Sequence, residues 1–309
     1  MLSNIRLTAA LLWLLTLAVI LTGCITSPAA RPIRLDDIEQ ATAIPRNDQP
    51  TLRIAIGSVI SPKGTLASYS ALVDYLGERV GLRGELIQRP TYGETNDLVR
   101  RGEVDLALVC SGAYVVGKRD FGMELLAMPV VNGQTNYYSY IVVPKAARTQ
   151  SIADLRGKVF AFTDPLSNSG RLAPVYLLLQ MGERPEAFFQ KTIYTYSHDN
   201  SLKAVADGLV DGAAVDSLVY DYALAREPRY AESLRIIFRS APFGIPPLVV
   251  PPQLSPERKQ QLRQVLLNMH TDPDGRAILS DLMIERFVPA QDEAYASIRE
   301  MVNAVGQER

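Results

Sequence analysis

Gly102-Glu103-Val104-Asp105-Leu106-Ala107-Leu108-Val109 is followed 106 residues later by Gly208-Leu209-Val210-Asp211-Gly212-Ala213-Ala214-Val215, and this repeated stretch decides the fold. Each copy is a Gly-X-Val-Asp turn running into a short, continuous apolar run, the pattern of a strand buried on both faces. At the same offset Ala55 meets Ala161, Ser61 meets Ser167, Gly64 meets Gly170 and Leu66 meets Leu172. Around the first copy, strands are predicted over Leu52 to Ile56, Glu85 to Gln88 and Val104 to Val109, with helices over Leu66 to Leu76 and Asn96 to Arg101. Around the second, strands over Val159 to Phe162, Thr192 to Tyr194 and Val210 to Val215 alternate with helices over Leu172 to Gln180 and Leu202 to Asp207. Parallel strands need helical crossovers and bind ligands beyond their carboxyl ends, so the expected fold is α/β, with two lobes facing each other across a cleft. Tyr137 to Val143 reads as a strand leading into the second lobe and Ile245 to Val250 as one leading back, and two crossings imply a hinge. Ser255-Pro256-Glu257 is a helix start, and further helices over Asp272 to Leu282 and Asp292 to Val305 are assigned to the first lobe. The first lobe is thus expected at 51–140 with 242–309, and the second at 141–241.

The 309 residues are 47% hydrophobic and 21% charged, which excludes a disordered chain. Thirty-two Lys and Arg against thirty-three Asp and Glu give a net charge of -1, so nucleic acid is not expected as a partner. Two Cys and two His make neither a disulfide framework nor a zinc site without carboxylates, and no metal or cofactor is expected. Arg6 precedes an apolar run from Leu7 to Thr22, short for a membrane span and right for a secretory segment. Leu21-Thr22-Gly23-Cys24 resembles a bacterial lipobox; the rival is a signal anchor with a chance cysteine. On the lipobox reading 1–23 is a lipoprotein signal peptide and Cys24 is lipidated. Residues 24–50, with Pro28, Pro32, Pro45 and Pro50, form a tether. The location implied is the cell envelope, outside the cytoplasm, on the periplasmic side in a Gram-negative cell.

Phe162-Thr163-Asp164-Pro165-Leu166-Ser167-Asn168-Ser169-Gly170-Arg171-Leu172-Ala173-Pro174 runs from a strand through a hydroxyl- and amide-rich loop into a helix. A helix start has unpaired N–H groups and a positive dipole end, so Ser167, Asn168 and Ser169 are either an anion cradle or simple caps. Arg171 is a ligand or a solvated charge. His198, in Tyr196-Ser197-His198-Asp199-Asn200, is read as a loop residue able to donate to an anion and to titrate near neutral pH. Its counterpart at the 106 offset is Tyr92, and Cys110 corresponds to Asp216, both at strand ends. Asp216 is alternatively a helix cap and Cys110 a small buried apolar residue.

Val104 to Ala107, Asn136 to Val143, Leu155-Arg156-Gly157-Lys158, Asp164 to Pro174, Ser197-His198-Asp199 and Val210 to Ala214 together resemble the phosphate, phosphite and phosphonate solute-binding proteins of ABC transporters, over about Thr51 to Val302. The resemblance implies a two-lobed type II periplasmic binding protein fold closing on a small oxyanion, with an ABC permease as partner. It places the ligand on Ser167, Asn168 and Ser169 (Asn where the family has Thr), on Tyr92 and Tyr137, on His198 and on Asp216. Pro242-Phe243-Gly244-Ile245-Pro246-Pro247 lacks the second acid of aminophosphonate binders, which favours a smaller ligand. Cys110, the free thiol left once Cys24 is lipidated, resembles the cysteine of an arsenite-binding sensory branch that signals through a membrane histidine kinase. Further rivals are a lipoprotein hydrolase, for which neither Gly-x-Ser-x-Gly nor HExxH is present, and a structural lipoprotein with an incidental cleft.

Overall fold

The computed structural model describes residues 50–306; the predicted signal peptide, Cys24 and almost all of the predicted tether lie outside the described residues. In chain order the elements are β1 (Thr51–Ile56), α1 (Pro62–Arg79), β2 (Arg83–Gln88), α2 (Tyr92–Arg101), β3 (Leu106–Leu108), α3 (Ser111–Phe121), β4 (Glu124–Val130), β5 (Asn136–Tyr137) and β6 (Ser139–Pro144). There follow β7 (Val159–Phe162), a π-helical turn (Asn168–Leu172), α4 (Ala173–Gln180), α5 (Pro185–Phe188), β8 (Lys191–Tyr194), α6 (His198–Ala206), β9 (Gly212–Asp216), α7 (Ser217–Arg226), α8 (Arg229–Ser233) and β10 (Leu234–Arg239). The chain then returns through β11 (Phe243–Gly244) to β12 (Leu248–Val250), α9 (Pro256–Asn268), α10 (Pro273–Asp281), β13 (Arg286–Pro289) and α11 (Ala296–Gly306).

The described residues form two large sheets, a six-stranded one ordered β13-β4-β12-β3-β1-β2 and a five-stranded one ordered β10-β6-β9-β7-β8, and a two-stranded one of β11 and β5. The sequence repeat is a repeat of register. Ala55 pairs with Ile87 and Ala107, and 106 residues on, Ala161 pairs with Ile193 and Ala213. Alternation along β1 sends Leu52, Ile54 and Ile56 to one face, against α1 and α9, and Ala55 to the other, beside Tyr92, Val109 and Tyr114. β7 does the same, with Ala161 in one core and Phe160 and Phe162 in the other. Both faces are covered by helices, which is why these strands lack polar alternation.

The predicted elements are present with shifted ends, and the shifts matter at the cleft. The helix expected from Asn96 begins at Tyr92, because Thr91 and Glu94 form a reciprocal capping box. The helix expected from Leu202 begins at His198, where the Ser197 hydroxyl accepts the Asn200 N–H. Tyr92 and His198 are therefore first-turn helix residues rather than loop residues. The strand expected over Tyr137 to Val143 is interrupted at Tyr138, whose N–H turns to Ser217 Oγ at 3.0 Å. The strand expected over Ile245 to Val250 shortens to Leu248–Val250, because Pro246 and Pro247 have no N–H to donate. What remains of the two crossings pairs as a small ladder of its own, Tyr137 opposite Phe243 and Asn136 opposite Gly244. The C-terminal helix departs from expectation more widely: α11 packs on α3 beside the first sheet and on α4 beside the second, so it bridges the two layers.

Candidate functional site

The starts of α2, α3, α6 and α7 and the π-helical turn meet between the two sheets, so several positive helix ends face one another. The π turn follows from local bonding: Ser167 Oγ accepts the Gly170 N–H at 2.9 Å, and Leu172 N–H reaches Ser167 O at 2.9 Å. Ser167 is thus a cap, while Ser169 Oγ and Asn168 Oδ1 are buried without a hydrogen-bond partner. Asn168 Nδ2 donates to the Tyr137 hydroxyl at 3.0 Å. A half-turn of the amide keeps that bond with Tyr137 as donor and turns the NH2 toward the gap. The Tyr92 hydroxyl is a third buried polar group there without a partner. Tyr92 and Tyr137 are both held well above the ordinary phenol range, by burial first and then by Cys110 and Asp216, which also brings these four residues together in one niche.

Polarity on the far side is set by one backbone bond. Asp216 N–H donates to His198 Nδ1 at 3.1 Å, so Nδ1 is an acceptor and the imidazole proton sits on Nε2. Burial pushes His198 down to about 3, which corrects the expectation of titration near neutral pH: the ring is a neutral donor across the physiological range. Asp216 is a helix cap, as its alternative reading had it. Its Oδ1 caps α7 through Leu218 N–H at 2.7 Å, and burial pushes its carboxyl up to about 7. Cys110 is buried at the start of α3, accepts the Asn168 N–H on Sγ at 3.4 Å, and is pushed up to about 11 by burial, so it is a thiol and not a thiolate. Arg171 stands outside the niche; its Nε donates to the Tyr194 hydroxyl and its Nη1 to Pro165 O.

The eight predicted residues Tyr92, Cys110, Tyr137, Ser167, Asn168, Ser169, His198 and Asp216 are all buried around this niche. Sequence reasoning missed their supports. Asp164 accepts the Tyr92 N–H at 3.1 Å, and Thr163 Oγ1 lies 3.1 Å from His198 Nδ1. Ser139 Oγ donates to Ser169 O at 2.6 Å, and Ser111 Oγ donates to Gly244 O at 2.6 Å. Asp164 was legible as an acid within the Ser/Asn loop; the two serines carry no signal of their own. Closure is reciprocal: the loop after β7 caps α2 through Asp164, and the loop after β1 meets α6, where His198 N–H donates to Val59 O at 2.9 Å and Asp199 Oδ1 accepts the Ser61 N–H at 2.8 Å. Among the described residues no group of three or more His, Cys, Asp or Glu is placed to hold a metal, and no helix is long and apolar enough to cross a membrane.

A family model described as "ABC transporter, phosphonate, periplasmic substrate-binding protein" matches residues 54–295. The chain belongs to this family. It is similar to the phosphonates-binding periplasmic protein of Escherichia coli K12, 23% identical over 255 residues covering 81% of this chain and 75% of that one. It is also similar to the phosphate-import protein PhnD of Mycolicibacterium smegmatis, 25% identical over 264 residues, 79% of this chain and 82% of that one. The structure of PhnD1 from Prochlorococcus marinus in complex with methylphosphonate superposes with a TM-score of 0.76 at 20% identity, over 83% of this chain and 98% of that one. The fold is accordingly that of the type II periplasmic binding proteins, and the family is one of extracytoplasmic transport components rather than enzymes.

Proposed function

We propose that this chain holds a small oxyanion, phosphate, phosphite or a simple phosphonate, in the niche between its two lobes and presents it to an ABC permease, tethered to the membrane through lipidated Cys24. One observation carries the reading: Ser169 Oγ, Asn168 Oδ1 and the Tyr92 hydroxyl are buried without partners where helix starts converge. An unpaired buried polar group costs about 1–3 kcal/mol, and an oxyanion offers acceptors for two hydroxyls, the turned Asn168 amide and His198 Nε2–H. The ligand sites are therefore Tyr92, Tyr137, Ser167, Asn168, Ser169, His198 and Asp216, with Cys110 at the edge. No formal positive charge is among them, so selectivity rests on neutral donors and helix dipoles. Because donors come from both layers, bound ligand favours the closed form, which the permease reads.

Thermal shift against phosphate, phosphite, methylphosphonate, sulfate and arsenite tests this on the parent, Ser169→Ala and Cys110→Ser. Removing the orphan Ser169 hydroxyl is expected to raise the unliganded melting temperature while weakening the oxyanion about 10- to 100-fold, the worth of one charge-assisted bond. A parent that responds to no oxyanion overturns the proposal. The sensory alternative rests on the placement of Cys110 Sγ beside Asn168 N–H; an arsenite response lost only in Cys110→Ser would favour it.

A further inference from the structure

Leu218, Tyr222 and Arg226 follow one another at intervals of four along α7 and so share one face of that helix. The face turns toward the first layer. Leu218 and Tyr222 line a cavity of about 120 Å³ whose lining also includes Ser68 of α1. Close packing is interrupted at this flank, and polar groups span it instead. The Tyr222 hydroxyl stands 2.7 Å from Ser68 Oγ, a half-buried bond between the layers. Arg226 holds the tyrosine ring in place: its guanidinium carbon lies 4.4 Å from the Tyr222 ring centroid, and its Nη2 donates to Asp281 O at 3.0 Å. Asp281 is the last residue of α10, where a helix leaves carbonyls unpaired and favours a cation, and here the cation comes from the opposite layer. The sequence repeat shows that the device belongs to one flank alone. The residues 106 positions from Ser68 and Tyr222 are Pro174 and Val116, which carry no hydroxyl. On that flank the layers meet through backbone, so closely that a Cβ on Gly112 would stand 2.5 Å from Leu166 O.

We infer that Ser68 and Tyr222 are positioning residues, the two halves of a latch that acts through closure of the layers and sets how long a bound anion is retained. The inference rests on the oxyanion reading of the niche. Neither residue is among the eight that surround the niche. Both hydroxyls pair with water once the layers part, so their bond favours the closed form only by the small net margin of a neutral hydrogen bond. Such a bias is readily reversed, which suits a carrier that has to release its cargo. The bond is also neutral, so its contribution does not depend on the charge of the anion. Because the latch biases closure itself, it prolongs the stay of every anion by the same factor, whereas the niche donors rank one anion against another.

Competition-chase kinetics of the full chain with phosphate, phosphite and methylphosphonate test it on the parent, Ser68→Ala, Tyr222→Phe and the double variant. Each substitution removes a hydroxyl and nothing else, and Tyr222→Phe keeps the ring that Arg226 covers. Release is expected to be about fivefold faster in each single variant, the worth of one neutral hydrogen bond, and no faster in the double variant. The factor is expected to be the same for each anion that binds. An unliganded melting temperature within about 4 °C of the parent's reports an intact fold. Release at the parent's rate in all three variants overturns the latch alone. Single effects that add in the double variant, or a change confined to one anion, do the same, since the first removes the bond between the two hydroxyls and the second makes one of them a ligand contact. A parent that binds none of the three anions overturns the niche reading and the latch with it.

Discussion

Asp216 joins three tasks in one side chain: it caps α7, its N–H fixes the His198 tautomer, and its carboxyl faces the niche. Its pKa is raised from 3.8 to about 7 by burial. The folded protein therefore keeps this proton over a range where the unfolded chain has lost it. The associated stability is complete below about pH 4 and is lost as the pH rises through about 7. Asp216→Asn keeps an acceptor for the cap and removes the titration. Its unfolding free energy is expected to exceed the parent's at pH 8 but not at pH 4, by a few kcal/mol at most, since tenfold in proton affinity is about 1.4 kcal/mol. Oxyanion affinity follows the same direction, falling above pH 7 in the parent as carboxylate meets anion, and less so in the variant. Calorimetry at pH 5, 7 and 8 checks both. At this scale the chain spoke unevenly. The Ser167-Asn168-Ser169 run announces an anion cradle because hydroxyls at a helix start have a short list of uses. That His198 is neutral depends on its burial, and that it donates from Nε2 depends on a backbone N–H eighteen residues away; nothing local to His198 encodes either.

Helix starts do most of the positioning, and their close approach is visible at Gly112 in the first turn of α3. A Cβ there would meet Leu166 O at 2.5 Å and Asn168 N at 3.0 Å, both backbone atoms of the opposite layer. The clash is relieved by parting the layers, not by repacking a core. Gly112→Ala is therefore expected to weaken oxyanion binding at least tenfold while moving the unliganded melting temperature by only about 2–4 °C, the shift of a 1 kcal/mol change in a protein of this size. A variant that binds phosphite as tightly as the parent would contradict the contact. Strands and helices were legible from periodicity, with Val159–Phe162 matching at both ends and the Ser255 cap accepting the Arg258 N–H as predicted. The helix ends at Tyr92 and His198 were not, because capping moved each start several residues ahead of the apolar pattern. The π turn was also silent, since a turn of this kind and an α-helical turn draw on the same residue types, and only the Leu172 N–H bond to Ser167 O distinguishes it.

Across the whole molecule, closure is held by reciprocal backbone donors: Tyr92 and Ser61 N–H on carboxylates of the second layer, His198 N–H on Val59 O, and Asn168 N–H on Cys110 Sγ. These amides are buried only while the layers meet, whereas β1, β3, β7 and β9 are protected by their own sheets. Hydrogen exchange in peptides spanning 57–65, 90–98, 164–172 and 197–202 is thus expected to slow at least tenfold on saturation with phosphite, with the central strands unchanged. Equal protection with and without ligand would count against a ligand-driven closure. The 106-residue echo, read as two βαβ layers, determined the architecture in advance, because burial on both faces writes itself as a continuous apolar run and crossover chemistry then limits the topology. The same pattern supplied the strand ends where the candidate residues lie. Only the tertiary structure decided that Ser169 Oγ stays unpaired and that α11 bridges both layers. Those outcomes depend on partners brought together from 30 to more than 130 residues apart, and local sequence carries no record of a distance that only closing the two layers creates.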